Sequence, residues 1–405
     1  MDIFIYIVNI VQWIFFGYLF ITTLYIFIFA FAGLFPHKKP KPKDSKQRKF
    51  AVMIPGYKED EIIVEVCEDA LHQDYPKEFY DVIAICDSYQ PETIEKLKKL
   101  PVKVIEVSFD KSTKAKALNK TMEILGDKEY DVALILDADN LMEEDFITKI
   151  NRAFQTGYKA VQGHRVAKNT DTNFAILDAI SEDINNHIFR KGSRIMGLSS
   201  AIIGSAMAFE YKFFKEMMKG VHAIGGFDKE IDLKMCRDGI TIEYIEDAYC
   251  YDEKVQKAEV FQHQRRRWLS AQIVYFKRFF FKSVLALLTK GNIDFFSKAF
   301  HTFLPPRILL LGFMGIIFLI SFFFYPAPMA ILWIKLFALV FITFIISVPG
   351  KFYNMKTLNA IMSLPKGFFL MFMSLLKVKG ANQKFLHTKH TSTGTNVKKI
   401  KNQKK

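Results

Sequence analysis

Charged residues are absent from two long stretches of this chain. Residues 3–34 contain no Lys, Arg, Asp or Glu, and residues 308–348 contain a single one, Lys335. A helix rises about 1.5 Å per residue, so the first stretch can cross a hydrocarbon core of about 30 Å once. A Pro-Ala-Pro interruption at 326–328 divides the second stretch, which predicts two further spans. Because no positive charge precedes the first stretch, a cleaved signal peptide is not expected.

Acidic residues are missing from the C-terminal tail and scarce in a segment that follows the first apolar stretch. Residues 37–48 hold six Lys or Arg and one Asp, and residues 377–405 hold nine Lys and no acid. These segments account for the whole formal net charge of +14, so the rest of the chain offers no basic face for nucleic acid. Basic segments beside apolar helices are typical of the cytoplasmic side. We therefore predict a multi-pass protein of the inner or plasma membrane, in contact with membrane lipids, with residues 37–307 in the cytoplasm.

Cysteine is rare, and a glycine-rich phosphate loop is missing. The four cysteines show neither paired spacing nor a zinc pattern, which predicts reduced core residues in a cytosolic domain. After the first predicted strand the chain reads Pro55-Gly56-Tyr57. A nucleotidyltransferase is expected to hold phosphate in a glycine-rich loop at this place, so that class of enzyme is disfavoured.

Apolar runs of strand length alternate with helical patterns in the first half of the chain. The predicted strands cover 50–54, 80–86, 102–107, 132–136 and 161–165, and the predicted helices cover 59–73, 92–100 and 114–125. This alternation is typical of an α/β fold with a mostly parallel sheet and helices packed on it.

Two aspartates, Asp137 and Asp139, directly follow the predicted strand 132–136. Five consecutive apolar residues suit a strand that is buried on both faces, and open α/β sheets bind ligands at the carboxyl ends of their strands. Hard oxygen ligands at this spacing can hold Mg²⁺ or Mn²⁺, and the ion can bind a diphosphate. A solvated loop is the alternative for an isolated pair. Asp87 ends the second predicted strand and is expected at the same edge.

Several ordered motifs between residues 51 and 268 resemble the family-2 glycosyltransferases, which are inverting nucleotide-sugar enzymes with a GT-A fold. The resemblance is to the membrane-embedded branch with cellulose, chitin and hyaluronan synthases and ceramide glucosyltransferase. Its motifs here are PGYKE at 55–59, Asp87, KAKALN at 114–119, DAD at 137–139 and QRRRW at 264–268. The resemblance implies a GT-A nucleotide-sugar-binding domain, Rossmann-like in its alternation, with transmembrane and interfacial helices.

The resemblance also implies roles for individual residues. Those expected to bind the nucleotide sugar are Pro55, Tyr57, Glu59, Asp87, Lys114, Asp137, Gln264, Arg267 and Trp268. Those expected at the acceptor are Gly204, Ser205 and Trp268, and those expected to bind the metal are Asp137 and Asp139.

The general base is expected on an acidic segment near residue 228. In the family, a glycine follows the base by eleven residues, and counting back from Gly239 gives Asp228. Phe227 stands where the family usually has Glu, and a register slip of two residues would make Glu230 the base instead. Residues two apart do not share a helix face, so only one of these acids should face the site.

These features predict a hexosyltransferase that transfers a sugar, expected to be UDP-linked, to a growing β-linked polysaccharide at the cytoplasmic face. One alternative is transfer of a single sugar to a lipid or lipid-linked saccharide, and another is a catalytically silent scaffold or transport subunit. An oligomer or an export partner could complete a polymer channel. The predicted segments are a membrane helix (1–36), a basic linker (37–48), the GT-A domain (49–274), an interfacial region (275–303), two membrane helices (304–349), an interfacial helix (350–380) and a disordered tail (381–405).

Overall fold

A mixed eight-stranded sheet forms the centre of the α/β domain. The computed structural model describes residues 2–38, 41–221, 226–256, 258–324 and 326–377. The predicted disordered tail lies outside the described residues. The strands are β1 (Phe50–Tyr57), β2 (Tyr80–Asp87), β3 (Lys103–Val107), β4 (Val132–Ile135), β5 (Leu141–Met142), β6 (Ala160–Ala167), β7 (Met207–Glu210) and β8 (Ile242–Asp252).

The helices surround this sheet and continue beyond it. Those before β8 are α1 (Asp2–Ala32), α2 (Ile63–Ala70), α3 (Pro91–Lys98), α4 (Lys114–Leu125), α5 (Phe146–Gln155), α6 (Asn173–Asn185), α7 (Ser193–Ile195), α8 (Tyr211–Lys219) and α9 (Phe227–Arg237). A π-helical segment, Asn186–Gly192, connects α6 to α7. Those after β8 are α10 (Ala258–Lys290), α11 (Ile293–His301), α12 (Arg307–Phe324), α13 (Ala327–Ser347), α14 (Met355–Ile361) and α15 (Leu364–Leu376).

The sheet order is β3-β2-β1-β4-β7-β6-β8-β5. β1 pairs in parallel with β2 and β4, and β2 pairs in parallel with β3, which confirms the predicted alternation. β7 runs antiparallel between β4 and β6. Successive residues of β1 enter different core clusters on the two faces, with Val52 in one and Met53 in the other. The sheet is therefore buried on both sides, as its apolar runs predict.

Within the described residues, two helices are long and apolar enough to cross a membrane by length and composition, Asn9–Ala32 and Pro328–Ser347. The apolar helix α12 between them in the chain is shorter. α14 and α15 meet at a bend of 43° and would form a third candidate if they were one broken span. The bend falls beside Pro365, the second residue of α15, and a proline cannot continue a helix from the preceding turn.

The helix α10 is continuous over 33 residues. It carries QRRRW near its beginning and the predicted interfacial stretch in its later half. The expected boundary between residues 274 and 275 therefore falls inside one helix.

A close backbone contact joins α1 to the α/β domain at Gly192. A Cβ atom added to Gly192 would lie 2.1 Å from the carbonyl oxygen of Phe29. One turn earlier, the His187 ring is 2.8 Å from the Ala30 carbonyl oxygen. The end of the first apolar helix is therefore packed directly against the π-helical segment.

Gly192→Ala is expected to destabilise the protein by about 1–3 kcal/mol, because the added methyl group must displace backbone. Gly17→Ala in α1 is the matched control, since a Cβ atom there meets nothing within 4 Å. Thermal unfolding in detergent measures both. Equal melting temperatures for the two variants would contradict the close approach of α1.

Candidate active site

One cavity of about 1440 Å³ brings the predicted site residues together. A volume above the usual range of about 300–1,000 Å³ for a small-molecule pocket leaves room for two substrates. The predicted residues that line it are Pro55, Tyr57, Glu59, Asp87, Lys114, Asp137, Asp139, Gly204, Asp228, Gln264, Arg267 and Trp268. Ser205 and Glu230 are the predicted residues that do not line it.

The parallel register of β1 and β2 places their last residues, Tyr57 and Asp87, side by side at one edge of the cavity. The Asp87 side chain is buried, and Ser88 Oγ donates to its Oδ1 at 3.0 Å. Gly56 is required next to it, because an added Cβ atom would lie 1.9 Å from the Tyr89 hydroxyl oxygen. The strand ends thus place Tyr57 and the buried Asp87 together at this edge.

Asp137 follows β4 and faces two cations. Lys114 Nζ contacts Asp137 Oδ1, and it also donates to the Gly204 carbonyl oxygen at 2.7 Å. Arg165 Nη1 lies 3.9 Å from Asp137 Oδ2. Lys114 is the first residue of α4, which begins there because the preceding residue, Thr113, accepts from the Lys116 N–H. The helix start therefore aims this lysine at the carboxylate.

Asp139, two residues after Asp137 in the same loop, is buried. Its Oδ2 accepts the Glu253 N–H at 2.8 Å, and its Oδ1 accepts the Asn140 side-chain amide at 3.1 Å. No group of three or more His, Cys, Asp or Glu side chains suited to a metal occurs in the described part of the chain. The protein therefore offers two carboxylates, Asp137 and Asp139, as candidate ligands for a cation.

Ser205 lies beneath the aspartate loop and not on the cavity wall where the sequence reasoning placed it. Its hydroxyl accepts the Asp137 N–H at 3.0 Å and donates to Asn140 Oδ1. Ser205 is fully buried. Its position suits a residue that fixes the loop carrying both aspartates rather than one that touches an acceptor.

The two candidate bases occupy different surroundings on α9. Asp228 lines the cavity, and its carboxyl carbon would lie 3.6 Å from a Cβ atom placed on Gly204. Glu230 is buried away from the cavity, where its Oε1 pairs with Lys234 and Arg278 at 2.9 Å each. Burial raises the pKa of Asp228 above its ordinary value, and the charge of Lys229 opposes this shift. A carboxylate of raised pKa is a stronger base.

The QRRRW segment reaches the cavity from α10. Trp268 is 45 % exposed although it lines the cavity, so one face of its ring is available to a ligand. The Arg265 guanidinium lies 4.2 Å from the Trp268 ring centroid and pairs with Asp178 on α6. Burial lowers the pKa of Arg267. This helix therefore lines the cavity with cations and one aromatic platform.

The family profile described as "Glycosyltransferase like family 2" matches residues 47–271, which is more than half of the chain. The chain belongs to glycosyltransferase family 2. It is thus a glycosyltransferase that uses a nucleotide sugar, and the matched segment contains β1 to β8 together with the QRRRW part of α10. Comparison with curated protein sequences gives no match.

Solved structures of other glycosyltransferases resemble this family-2 chain. The mannosyltransferase PcManGT from Pyrobaculum calidifontis, in complex with GDP-Man and Mn²⁺, has a TM-score of 0.56 at 15% identity, covering 90% of this chain and 95% of that one. TarS from S. aureus has a TM-score of 0.36 at 16% identity, covering 56% of this chain and 40% of that one. Glucosyl-3-phosphoglycerate synthase from Mycobacterium tuberculosis, in complex with Mn²⁺, UDP and phosphoglyceric acid, has a TM-score of 0.39 at 13% identity. The match covers 55% of this chain and 76% of that one. The first likeness supports the GT-A fold.

Gln162 supports the loop of this glycosyltransferase site that carries Gly204, and the sequence does not predict this role. Gln162 donates to the Ser205 and Ala206 carbonyl oxygens and accepts the Ile203 N–H, so it shapes the loop that carries Gly204. Gln162 stands in the predicted fifth strand, but its partners are about 40 residues away in sequence. A local pattern carries no signal for such a contact.

We expect the rate of sugar transfer to fall at low pH with a midpoint above 3.8, the ordinary value for an aspartate. Asp228 must be deprotonated to accept a proton, and its raised pKa moves protonation to a higher pH. The measurement is kcat between pH 4.5 and 8 at saturating donor. A rate that stays constant down to pH 4.5 would contradict a base with raised pKa.

Proposed function

We propose that this family-2 enzyme transfers a sugar from a nucleotide donor, with inversion, to a lipid or lipid-linked acceptor at the cytoplasmic membrane surface. The observation that supports it is a single cavity lined by Asp87, Asp139, Asp228 and Trp268 that continues between the apolar helices. Donor and acceptor residues share one space, and the membrane side of that space is apolar.

A divalent cation, Mg²⁺ or Mn²⁺, fits the donor end of the cavity. Mg²⁺ is commonly bound by one or two carboxylates together with substrate phosphates, and Asp137 and Asp139 supply that number. When bound, such an ion stabilises the negative charge of the departing nucleotide diphosphate. Mn²⁺ is present in the structure of PcManGT with its GDP-Man donor, which supports the same use here. Lys114, now paired with Asp137, can turn to the donor diphosphate.

Asp228 is proposed as the general base. Its carboxylate takes the proton of the acceptor hydroxyl as that oxygen forms a bond to the anomeric carbon. The bond from this carbon to the nucleotide diphosphate breaks on the opposite face, so the configuration inverts. Trp268 offers its exposed ring face to the acceptor sugar or to the transferred sugar.

Apolar side chains support a lipid-bearing acceptor. The cavity lining contributed by α13, α14 and α15 includes Phe341, Phe344, Leu358, Leu364 and Met371. Such side chains match an acyl or isoprenoid chain better than the hydroxyl groups of a polysaccharide. The two or three candidate spans in the described part of the chain are also few for a polymer channel formed by one copy.

Polysaccharide synthesis is the second candidate. The exposed ring of Trp268 within QRRRW favours it, because an aromatic platform suits a sugar chain that slides past the donor. An oligomer or an export partner would then have to complete the path across the membrane.

The basic segment 37–48 supports placing the cytosolic domain on the inner face. It begins five residues after Ala32, the last residue of α1, and holds six Lys or Arg against one Asp. Positive charge next to a membrane helix favours the cytoplasmic side, where nucleotide sugars would reach the cavity.

Radiolabelled donor supplied to membranes that contain the protein distinguishes the two acceptors. Label in the organic extract is the expected result, and label in ethanol-insoluble polymer would favour polysaccharide synthesis. Membranes with the Asp228→Asn variant serve as the background control.

A further inference from the structure

One cation of the cavity has no carboxylate partner. Arg307, the first residue of α12, donates from Nη1 to Asn185 Oδ1 at 2.8 Å. From Nη2 it donates to the carbonyl and hydroxyl oxygens of Ser181 at 3.0 and 2.8 Å. These acceptors are neutral, and across the described ranges no acidic side chain forms an ion pair with this guanidinium. A half-buried cation of this kind has the capacity to bind an anion.

The two acids on the same face of α6 already pair with other cations. Asp178 pairs with Arg265, and Glu182 pairs with Arg190. Arg307 contacts Ser181 and Asn185 of α6. Ser181 lies between the two acids on this helix face and Asn185 lies one turn after them, and both side chains are neutral. Asp178 and Glu182 are therefore committed to other cations, and Arg307 reaches only neutral acceptors on this helix.

Apolar side chains adjoin this cation in the cavity lining. Ile308 and Leu311 follow Arg307 on α12, and both line the cavity with it. Tyr353, Leu358 and further side chains after α13 line the same space. A ligand that fits here has an anionic group joined to an apolar chain.

We infer that Arg307 binds the phosphate or diphosphate of an anionic lipid acceptor. This rests on the proposed function, because it specifies the acceptor of the same cavity. The planar guanidinium matches phosphate oxygens, and the lipid chain lies on the apolar side chains of α12 to α15. The nucleophile is a sugar or polyol hydroxyl of this lipid. Its proton goes to Asp228, and the phosphate linkage itself stays intact during transfer.

Binding of paired lipid probes tests this site in the purified full-length protein. The probes are an isoprenyl phosphate and the uncharged isoprenol of equal chain length, compared in the same detergent. The wild-type protein is expected to bind the phosphate at least tenfold more tightly than the alcohol. Arg307→Gln should remove this preference, and Arg307→Lys should restore part of it. Lys356→Gln on α14 is the control, because Lys356 is exposed and lies off the cavity wall.

Equal affinity of the wild-type protein for the two probes would overturn the inference without relying on any variant. Competition arms identify the source of the phosphate. Inorganic phosphate is expected to displace the lipid only weakly, since it lacks the chain; strong displacement would indicate a site for free phosphate. Displacement by UDP or GDP with Mn²⁺ would indicate the donor site and overturn the assignment. Failure of the proposed function would appear separately, as a lack of nucleotide release from sugar donors.

Discussion

Replacing Asp228 by Asn is expected to reduce the rate of sugar transfer by about 10²–10⁴-fold, the usual contribution of a general base. Asn keeps the shape of the side chain but cannot accept the proton of the acceptor hydroxyl. Because burial raises the pKa of Asp228, its charged form is disfavoured in the folded protein, so the variant should be at least as stable as the wild type. Nucleotide release in the presence of acceptor and a thermal melt measure the two effects.

Two substitutions, one on α9 and one directly after it, provide controls for Asp228. Asp238→Asn makes the same chemical change at an exposed position, where the side chain contacts Arg237, and should retain full activity. Glu230→Gln removes a buried charge that faces Lys234 and Arg278. The Gln variant loses both ion pairs of a buried carboxylate with these cations, one exposed and one partly buried, so it should lose stability and keep its catalytic step. The reverse pattern, with Glu230→Gln inactive and stable, would identify Glu230 as the base.

Asp139→Asn is expected to reduce sugar transfer on the order of 10²-fold or more, because a metal ion contributes several kcal/mol of transition-state stabilisation. The neutral amide can still accept a hydrogen bond from the Glu253 N–H, so the loop should keep its shape. Titration with Mn²⁺ in the presence of nucleoside diphosphate should show loss of metal binding in parallel with activity.

Asp127→Asn serves as the matched control for this substitution. Asp127 lies at the surface, where it pairs with Lys215. Its variant should bind Mn²⁺ and turn over donor like the wild type. Full activity and unchanged Mn²⁺ affinity in Asp139→Asn would exclude this carboxylate as a ligand.

The strand pattern predicted that Asp87 and Asp137 lie at the same edge of the sheet, for a physical reason. Strands that are buried on both faces read as short apolar runs, and parallel neighbours end at the same edge. Asp87 and Asp137 were therefore predicted together, and both line the cavity. The starting point of α4 was also predictable, because Thr113 is a good N-cap and Lys114 follows it.

Other features depend on partners that are distant in sequence. β7 is four residues long and runs antiparallel between strands that come earlier in the chain, so its own pattern gives little signal. Spacing alone could not choose between Asp228 and Glu230, since the choice depends on Arg278 of α10. The Gly204-Ser205 sequence predicts a place at the acceptor for Ser205, but its hydroxyl group donates to Asn140 in the folded protein.

Arg307 shows the same limit. A basic residue at the start of an apolar helix ordinarily indicates an interfacial anchor. Its neutral partners lie on α6, 122 and 126 residues earlier in the chain. Only the folded arrangement reveals a cation without an acid beside the cavity.

Release of free nucleotide from a panel of UDP- and GDP-sugars is the measurement that bears most directly on the proposed chemistry. It uses the full-length protein in native membranes, with Mg²⁺ or Mn²⁺ supplied or removed by a chelator. We expect release from at least one donor, complete dependence on the divalent ion, and loss of release in the Asp139→Asn variant. No release from any donor with both ions present would contradict an active glycosyltransferase and favour a catalytically silent scaffold.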